Sequence, residues 1–228
     1  TRYYFGQETG ENAKPFRFPP VDNWEELRKQ ANEAVMPAAL AIGEAVTLVD
    51  VATIPNVKIE NVYAGVDNIF GAPLYTVNKL YLGSKAVEAL TKVQERLASK
   101  GYGLVVWDAY RPWAVSKLAH LALPADKKYM LEDPDLKGNK HNTGNAVDVS
   151  LYDLETGEAI EMSSGFDEPS MRQYASYPGG TERQRYLRTM LRETMEEFGF
   201  TGIEMEWWHF EYDSQGSYAH QNIPLNAL

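Results

Sequence analysis

The sequence predicts a single α+β domain in which helices flank a central, mostly antiparallel sheet. Helical periodicities and strand-like segments are interleaved along all 228 residues, without an internal repeat or a linker. A chain of this length fits one domain, and 44% apolar and 12% aromatic residues are enough for a substantial core. We therefore expect residues 1–228 to form one domain.

The first third of the chain is predicted to contain one helix among extended and irregular segments. Residues 1–22 include several prolines and are predicted to form an extended arm. A helix follows, with Asn23 as its N-cap and Glu26 reaching back from the third helical position. Residues 47–82 mix β-branched and aromatic residues with glycine and proline, which predicts short strands and loops.

The middle of the chain alternates between helix and strand. A helix capped by Ser84 is predicted to end at Gly101. Its apolar face consists of residues that recur at helical spacing, namely Ala86, Leu90, Val93 and Leu97. Residues 104–107 are predicted to form a short buried strand, and a helix is expected from about 113 to 121. Residues 124–140 are polar and interrupted by proline, so we expect a loop.

A half-buried strand is predicted at 146–152, because small or polar residues alternate there with apolar ones. Val147, Val149 and Leu151 would lie on one face, and Ala146, Asp148 and Ser150 on the other. A turn at 155–158 would lead to a second strand near 159–162. Residues 163–180 are then expected to form a long loop that can border a cleft.

The C-terminal part is predicted to contain the last helix and the last strand. Thr181 and Gln184 have the spacing of a capping box, and Gly199 is expected to terminate the helix. A strand at 204–212 completes the predicted sheet.

The charge of the chain excludes several classes of partner. A net charge of −10 does not provide the basic surface that nucleic acid binding needs, and it disfavours anionic membrane surfaces. No apolar run approaches the roughly 18–20 residues of a membrane span, so we expect a soluble protein. With no cysteine, any metal ion must be held by His, Asp or Glu. The sequence does not indicate the oligomeric state.

The chain begins at Thr1 without a recognisable export signal. We expect either a mature protein from which a signal has been removed or a trimmed chain. Periplasmic and cytoplasmic locations therefore both remain open.

A metal site is predicted where His141 and Asp148 lie on either side of Gly144. A glycine at this point lets the chain turn sharply, so that a loop histidine can fold back over a strand aspartate. The alternative is a solvent-exposed histidine and an aspartate bonded to backbone amides.

Glu206 and His209 form the second part of the predicted site. In a regular strand, residues three positions apart point to opposite faces, so their convergence requires a bulge or a Glu206 placed on the incoming turn. A histidine in this aromatic-rich segment can also be a satisfied core residue. The chain has only four histidines, and two of them in such settings favour a shared metal site.

Two imidazoles and one carboxylate around Zn²⁺, at roughly 2.0–2.2 Å, leave a coordination position open for water. An additional carboxylate can then take a proton during attack and pass it to the leaving amine. We assign that role to Glu206; as a fourth ligand it would instead close the site. Arg111, held by Pro112 at the end of a buried strand, can hydrogen-bond a developing oxyanion. The alternative for Arg111 is a surface ion pair, for example with Asp108.

With these residues placed, the chain resembles the D-alanyl-D-alanine dipeptidases, the zinc enzymes best known from vancomycin resistance. The resemblance rests on Val-Trp-Asp-Ala-Tyr-Arg-Pro at 106–112, His-x-x-Gly-x-Ala-x-Asp at 141–148, Met-Ser-Ser-Gly-Phe-Asp at 162–167 and Glu-Trp-Trp-His at 206–209. These motifs span about half of the chain. Related D,D-carboxypeptidases share the second motif, whereas the first and last motifs are typical of the dipeptidases.

The resemblance implies one zinc ion per chain, held by His141, Asp148 and His209. It also implies that Glu206 is the catalytic base and that Arg111 stabilises the tetrahedral intermediate. Asp167 looks like the family's acidic residue near the free amino group of the substrate, with a simple turn-forming aspartate as the alternative. Asn139 stands where the family usually has serine; its amide can still donate a hydrogen bond to a substrate carboxylate, but its greater length bears on substrate preference.

Together, these observations predict a zinc peptidase that hydrolyses D-Ala-D-Ala or a similar small D,D-dipeptide. A D,D- or L,D-carboxypeptidase acting on longer peptidoglycan stem peptides is the nearest alternative. It would need an open groove, whereas a dipeptidase needs a small closed cavity. A zinc-binding module without catalysis is a further alternative.

Overall fold

Two sheets and four α-helices make up the computed structural model over residues 16–228, the part of the chain that it describes. The strands are β1 (Leu48–Asp50), β2 (Lys58–Ile59), β3 (Tyr81–Gly83), β4 (Tyr102–Asp108), β5 (Ala146–Asp153), β6 (Phe200–Gly202) and β7 (His209–Tyr212). The helices are α1 (Trp24–Glu33), α2 (Ser84–Ala98), α3 (Trp113–Ala122) and α4 (Glu182–Glu197).

The larger sheet has the strand order β2-β4-β5-β7-β6. Only the pair β2–β4 is parallel, and the other neighbours are antiparallel. Strands β1 and β3 form a separate antiparallel pair. The predicted class, an α+β fold with a mostly antiparallel central sheet and flanking helices, is confirmed.

The main core lies between the large sheet and helices α2 and α4. The inward side chains of β5, Val147, Val149 and Leu151, are fully buried in the same cluster as Leu90 of α2 and Leu191 of α4. Each such aliphatic side chain contributes about 1.5–3 kcal/mol on burial. The core therefore fixes β5 firmly, and the opposite face of this strand carries Asp148.

Residues 16–21, before α1, form no helix or strand, and the amide of Phe18 donates to the carbonyl of Ile69 at 2.7 Å. Residues 1–15 of the predicted arm lie outside the described residues. Asn23 occupies the N-cap position of α1, as predicted, but the expected capping hydrogen bonds are not formed: Asn23 has φ −103° and ψ 34°, and its side chain makes no capping hydrogen bond. Glu26 instead accepts a hydrogen bond from Gln30 Nε2 one turn later, at 3.3 Å.

Helix α2 begins one residue earlier than predicted. Gly83 is its N-cap and Ser84 its first residue, because β3 leads directly into the helix. A Cβ atom on Gly83 would lie 2.8 Å from Asn145 Oδ1, so the close approach of the two segments requires glycine. The helical stop near Gly101 is confirmed, and Gly101 adopts φ 87°.

The predictions for the last two helices are confirmed. Helix α3 extends one residue beyond the expected end. In α4, Thr181 Oγ1 accepts from the amide of Gln184, and Gln184 Oε1 accepts from the amide of Thr181, as a capping box requires. The loop at 124–140 contains one 3₁₀ turn, Ala125–Met130, and leads into a second at Lys140–Thr143.

Three predictions about strands are corrected. Strand β5 is buried on both faces up to Tyr152, because the residues of the site cover the face that was expected to meet solvent. At 159–162 only an isolated bridge between Ala159 and Tyr152 forms. Of the strand predicted at 204–212, only its last four residues pair as β7, and the preceding residues form a turn.

In residues 16–228 we find no helix with the length and apolar character of a membrane span.

Candidate metal centre

The turn predicted between His141 and Asp148 is present. His141 lies in the 3₁₀ turn Lys140–Thr143, which ends at Gly144 in the left-handed conformation, φ 82°. The carbonyl of Gly144 accepts from the amide of Gly83 at 2.7 Å, and this hydrogen bond ties the turn to the start of α2. The chain then enters β5, and His141 folds back over Asp148.

His209 reaches the same point through strand pairing. In the antiparallel register of β5 and β7, Asp148 lies directly opposite His209, so their side chains share one face of the sheet. Glu206 lies on the incoming turn, where its carbonyl accepts from the amide of His209 at 3.3 Å. Of the two irregularities that would allow Glu206 and His209 to converge, the turn is the one observed.

His141, Asp148 and His209 form the one group of potential metal ligands found in residues 16–228. One ligand atom from each residue lies within 4.8 Å of the other two. His141 Nε2 is 3.2 Å from His209 Nδ1, which in turn is 3.0 Å from Asp148 Oδ1. All three residues are buried. The group can therefore hold a metal ion.

The outer nitrogen of each imidazole faces an acceptor. His141 Nδ1 lies 2.7 Å from the carbonyl oxygen of Ala109. Since a carbonyl can only accept, this nitrogen carries the proton and leaves Nε2 with its lone pair toward the cluster. His209 Nε2 lies 3.6 Å from Glu211 Oε1. Such outer partners orient metal-binding histidines in proteins generally.

Asp148 and His209 shift each other's pKa in opposite directions. Burial acts to raise the pKa of Asp148, but the two imidazoles outweigh it and hold that pKa well below its usual range. Burial likewise acts to lower the pKa of His209, but Asp148 and Glu211 raise it to about 10. Both shifts follow from the short distance between the Asp148 carboxylate and the imidazole rings.

Glu206 stands beside the cluster without joining it. Its Oε2 is 4.0 Å from His209 Nδ1, and its side chain is 39% exposed to the cavity. The surrounding walls of the cavity remove the Glu206 carboxyl in part from water, and this raises its pKa. The charge of Asp148 adds to the increase, whereas His209 opposes it. Among the described residues, Glu206 lies outside the group whose ligand atoms are all within 4.8 Å of one another.

Arg111 is part of a buried ion pair, in place of the surface pair considered from the sequence. Its Nη2 and Nε donate to Asp108 Oδ2 at 2.6 and 3.1 Å, and Asp108 is fully buried. The other oxygen of Asp108 accepts from the Tyr75 hydroxyl at 2.6 Å. A register shift in β4 before Asp108 sets this residue opposite Asp148 on β5. Arg111 thus reaches the cavity from a rigid anchor.

The two predicted substrate-binding residues line the same cavity. Asp167 adopts φ 53°, and its Oδ2 accepts from the Tyr63 hydroxyl at 2.6 Å. Asn139 Oδ1 accepts from the amide of Asn142 and caps the turn that carries His141. Its oxygen therefore has a structural task.

The cavity above the cluster has a volume of about 700 Å³. Its wall includes Arg111, Asp167 and Glu206, and Met130 and Met205 lie at its partly exposed edge. All seven residues predicted for the site border this one space: Arg111, Asn139, His141, Asp148, Asp167, Glu206 and His209.

Three residues at the site were missed from the sequence. Tyr63 contacts Asp167 across 104 positions, and Tyr75 contacts Asp108 across 33. No local pattern indicates such pairs. Glu211, in contrast, could have been predicted from the sequence. A strand places residues two positions apart on one face, and His209 was already assigned to the site.

Two imidazoles and a carboxylate at a cleft, with a further carboxylate beside them, are typical of metal-dependent hydrolases. Residues 44–226 match the family model described as D-ala-D-ala dipeptidase, peptidase family M15. The chain therefore belongs to this peptidase family.

Individual relatives carry the same description. The chain is 37% identical over 172 residues to a D-alanyl-D-alanine dipeptidase from Escherichia coli (strain K12), covering 75% of this chain and 87% of that protein. It is also 37% identical over 167 residues to the enzyme of that name from Enterococcus faecalis, covering 65% of this chain and 82% of that protein. A solved LD-carboxypeptidase, LdcB, is 18% identical with a TM-score of 0.44, covering 78% of this chain and 69% of that one. A likeness of that degree carries no functional argument.

Proposed function

We propose that this protein is a zinc-dependent dipeptidase that hydrolyses D-Ala-D-Ala or a similar small D,D-dipeptide. The observation that carries the proposal is the convergence of His141, Asp148 and His209 beside Glu206, in a chain that belongs to the D-Ala-D-Ala dipeptidase family. Both named relatives are D-alanyl-D-alanine dipeptidases.

The donor set fits a single zinc ion. Zinc accepts imidazole nitrogen and carboxylate oxygen, and catalytic sites commonly provide three such ligands and leave a fourth position open. His141 Nε2 and His209 Nδ1 are the nitrogens that face Asp148. When bound, zinc would supply Lewis acidity that lowers the pKa of water to about 7.

Glu206 is the residue that moves protons in this proposal. Its carboxylate lies beside the ligand cluster, 4.0 Å from His209, and is open to the cavity. From this position it takes a proton from the attacking water and delivers it to the amine nitrogen as the peptide bond breaks.

Arg111 stabilises the negative charge that develops on the scissile carbonyl oxygen. The ion pair with Asp108 holds the guanidinium in place before substrate arrives, so little reorganisation is needed. Asp167 binds the free ammonium group of the dipeptide, and the side-chain amide nitrogen of Asn139 donates a hydrogen bond to the dipeptide's carboxylate. Both ends of a zwitterionic dipeptide would then be recognised by groups of matching charge or polarity.

A comparison of substrates tests the proposal directly. The zinc-loaded protein is assayed with D-Ala-D-Ala, L-Ala-L-Ala and a stem pentapeptide, with and without a chelator. We expect cleavage of D-Ala-D-Ala alone, abolished by the chelator and restored by zinc. Preferential cleavage of the pentapeptide would support a carboxypeptidase instead. Zinc binding without turnover of any of the three would support a non-catalytic module.

The substitution Glu206→Gln tests the proton transfer. Loss of general acid–base catalysis is expected to lower kcat by about 10²–10⁴-fold. Zinc content, measured by atomic absorption, should remain at one ion per chain because Glu206 is not assigned as a ligand. The matched control is Glu193→Gln, which makes the same replacement of a carboxylate by an amide at an exposed residue of α4. Near-native turnover by Glu206→Gln would disprove the assigned base.

A further inference from the structure

Glu211 lies on the same face of the sheet as the proposed ligands. It follows His209 by two positions in β7, so the two side chains point to the same side. In the register of β5 and β7, Glu211 is paired with Ala146 and His209 with Asp148. The small side chain of Ala146 leaves room for the longer Glu211 to lean along the strand toward His209.

The carboxylate of Glu211 divides its two oxygens between two elements of the site. Oε1 lies 3.6 Å from His209 Nε2, the ring nitrogen that faces away from the cluster. Oε2 lies 3.8 Å from the ammonium of Lys140, the residue next to His141. Lys140 also donates to the carbonyl of Ser214 at 3.2 Å, which ties it to the loop after β7.

This arrangement bears on which ring nitrogen of His209 carries the hydrogen atom. An imidazole that offers Nδ1 to a metal ion must carry its proton on Nε2, and an acceptor beside Nε2 favours that tautomer. The distance of 3.6 Å is longer than the roughly 2.7–3.2 Å of a formed hydrogen bond. The Glu211 side chain is only 19% exposed, so its carboxylate is confined beside Nε2.

We propose that Glu211 is a positioning residue for the metal site: it holds His209 in the tautomer and ring orientation that present Nδ1 to the ion, and Lys140 keeps its carboxylate in place. The role is the counterpart of the Ala109 carbonyl, which fixes the proton of His141 at 2.7 Å. The proposal rests on the ligand set of the proposed function. It assigns to Glu211 no contact with substrate or with reacting atoms.

The test measures zinc affinity, by competition with a chromophoric chelator, for the unaltered protein, Glu211→Ala and Glu211→Gln. Loss of an outer-sphere partner of a ligand commonly weakens metal binding by about 10–100-fold, which we expect for Glu211→Ala. Glu211→Gln keeps an oxygen that can accept from His209 Nε2, so its zinc affinity should lie between those of the unaltered protein and Glu211→Ala. Lys140→Met should weaken binding less than Glu211→Ala does.

A matched control separates positioning from simple electrostatics. Glu204→Gln removes one negative charge from the wall of the same cavity, and among the described residues its carboxylate bonds to Ser176 and not to a histidine. Its zinc affinity should stay within about twofold of the unaltered protein. If it falls as far as that of Glu211→Ala, the net charge of the cavity explains the effect and the proposal is overturned.

A spectroscopic readout distinguishes positioning from a purely structural role. In the cobalt-substituted protein, the visible d–d bands report the ligand geometry, and Glu211→Gln should shift them while the melting temperature of the metal-free protein stays unchanged. Unaltered cobalt spectra and unaltered zinc affinity in both Glu211 variants would overturn the proposal. If the unaltered protein itself binds no zinc, the ligand set of the proposed function fails instead, so the two failures are distinguishable.

Discussion

Gly144, in the turn between the two proposed ligands His141 and Asp148, provides a quantitative test of how the fold builds the site. It adopts φ 82°, and a Cβ atom added there would lie 2.7 Å from Leu48 Cδ2 and 2.9 Å from Val46 Cγ2. Both contacts are shorter than any that real Cβ atoms make. Gly144→Ala therefore meets two separate penalties.

The first penalty is conformational. A residue with a Cβ atom in the left-handed region costs about 1–2 kcal/mol. The second is overpacking against Leu48 Cδ2 and Val46 Cγ2. These atoms end two partly buried side chains that can move aside, so we take the low end of the usual cost, about 1 kcal/mol. Together the two penalties predict a loss of about 2–3 kcal/mol in the free energy of unfolding. For a chain of this length, about 2–4 °C per kcal/mol gives a melting temperature lower by about 4–12 °C.

Gly101 is the matched control, since it has nearly the same backbone conformation, φ 87°, but no atom within 4 Å of the added Cβ. Gly101→Ala should lose only the conformational part, about 1–2 kcal/mol. Any stabilisation from reduced entropy of the unfolded chain is common to both variants and cancels in their difference.

The assay is urea denaturation of both variants in the presence of a chelator, so that zinc binding does not contribute to stability. We expect Gly144→Ala to be less stable than Gly101→Ala by about 1 kcal/mol. Equal losses in the two variants would refute the reasoning, because the crowding around Gly144 would then have no energetic consequence.

Two further substitutions follow from the structure. Asp108→Asn removes the charge that anchors Arg111, so we expect kcat/KM for D-Ala-D-Ala to fall by about 10²–10³-fold, with circular dichroism confirming that the fold is retained; full activity would exclude the anchoring role. Thr181→Ala removes one half of the capping box of α4, and the free energy of unfolding should fall by about 1 kcal/mol with turnover unchanged. A loss of turnover at equal zinc content would mean that α4 influences the site.

The sequence predicted correctly those caps, helix ends and turns that depend on residues close together in the chain. The capping box of Thr181 and Gln184, the stop at Gly101 and the turn at Gly144 are all present, because each depends on residues only a few positions apart. Asn23 occupies the predicted N-cap position, but its side chain makes no capping hydrogen bond.

Strand lengths were predicted less well, because pairing depends on partners that a local pattern cannot supply. Residues 159–162 have a strand-like composition, but they meet β5 only at the bridge between Ala159 and Tyr152 and at the hydrogen bond from the amide of Ile160 to the carbonyl of Leu151. In 204–212, the turn that carries Glu206 interrupts the predicted strand. The alternation in β5 gave its two faces correctly, although both are buried, because the site itself covers the second one.

The sequence by itself determined which chemical groups are available and how they are spaced: with no cysteine, a metal site had to use His, Asp or Glu, and the spacing around Gly144 joined His141 to Asp148. Only the tertiary structure decided how these groups are supported. The anchoring of Arg111 by Asp108 and Tyr75 and the contact of Tyr63 with Asp167 depend on how separate segments pack. Pairing between strands and burial act across distant parts of the chain, so no local spacing encodes them.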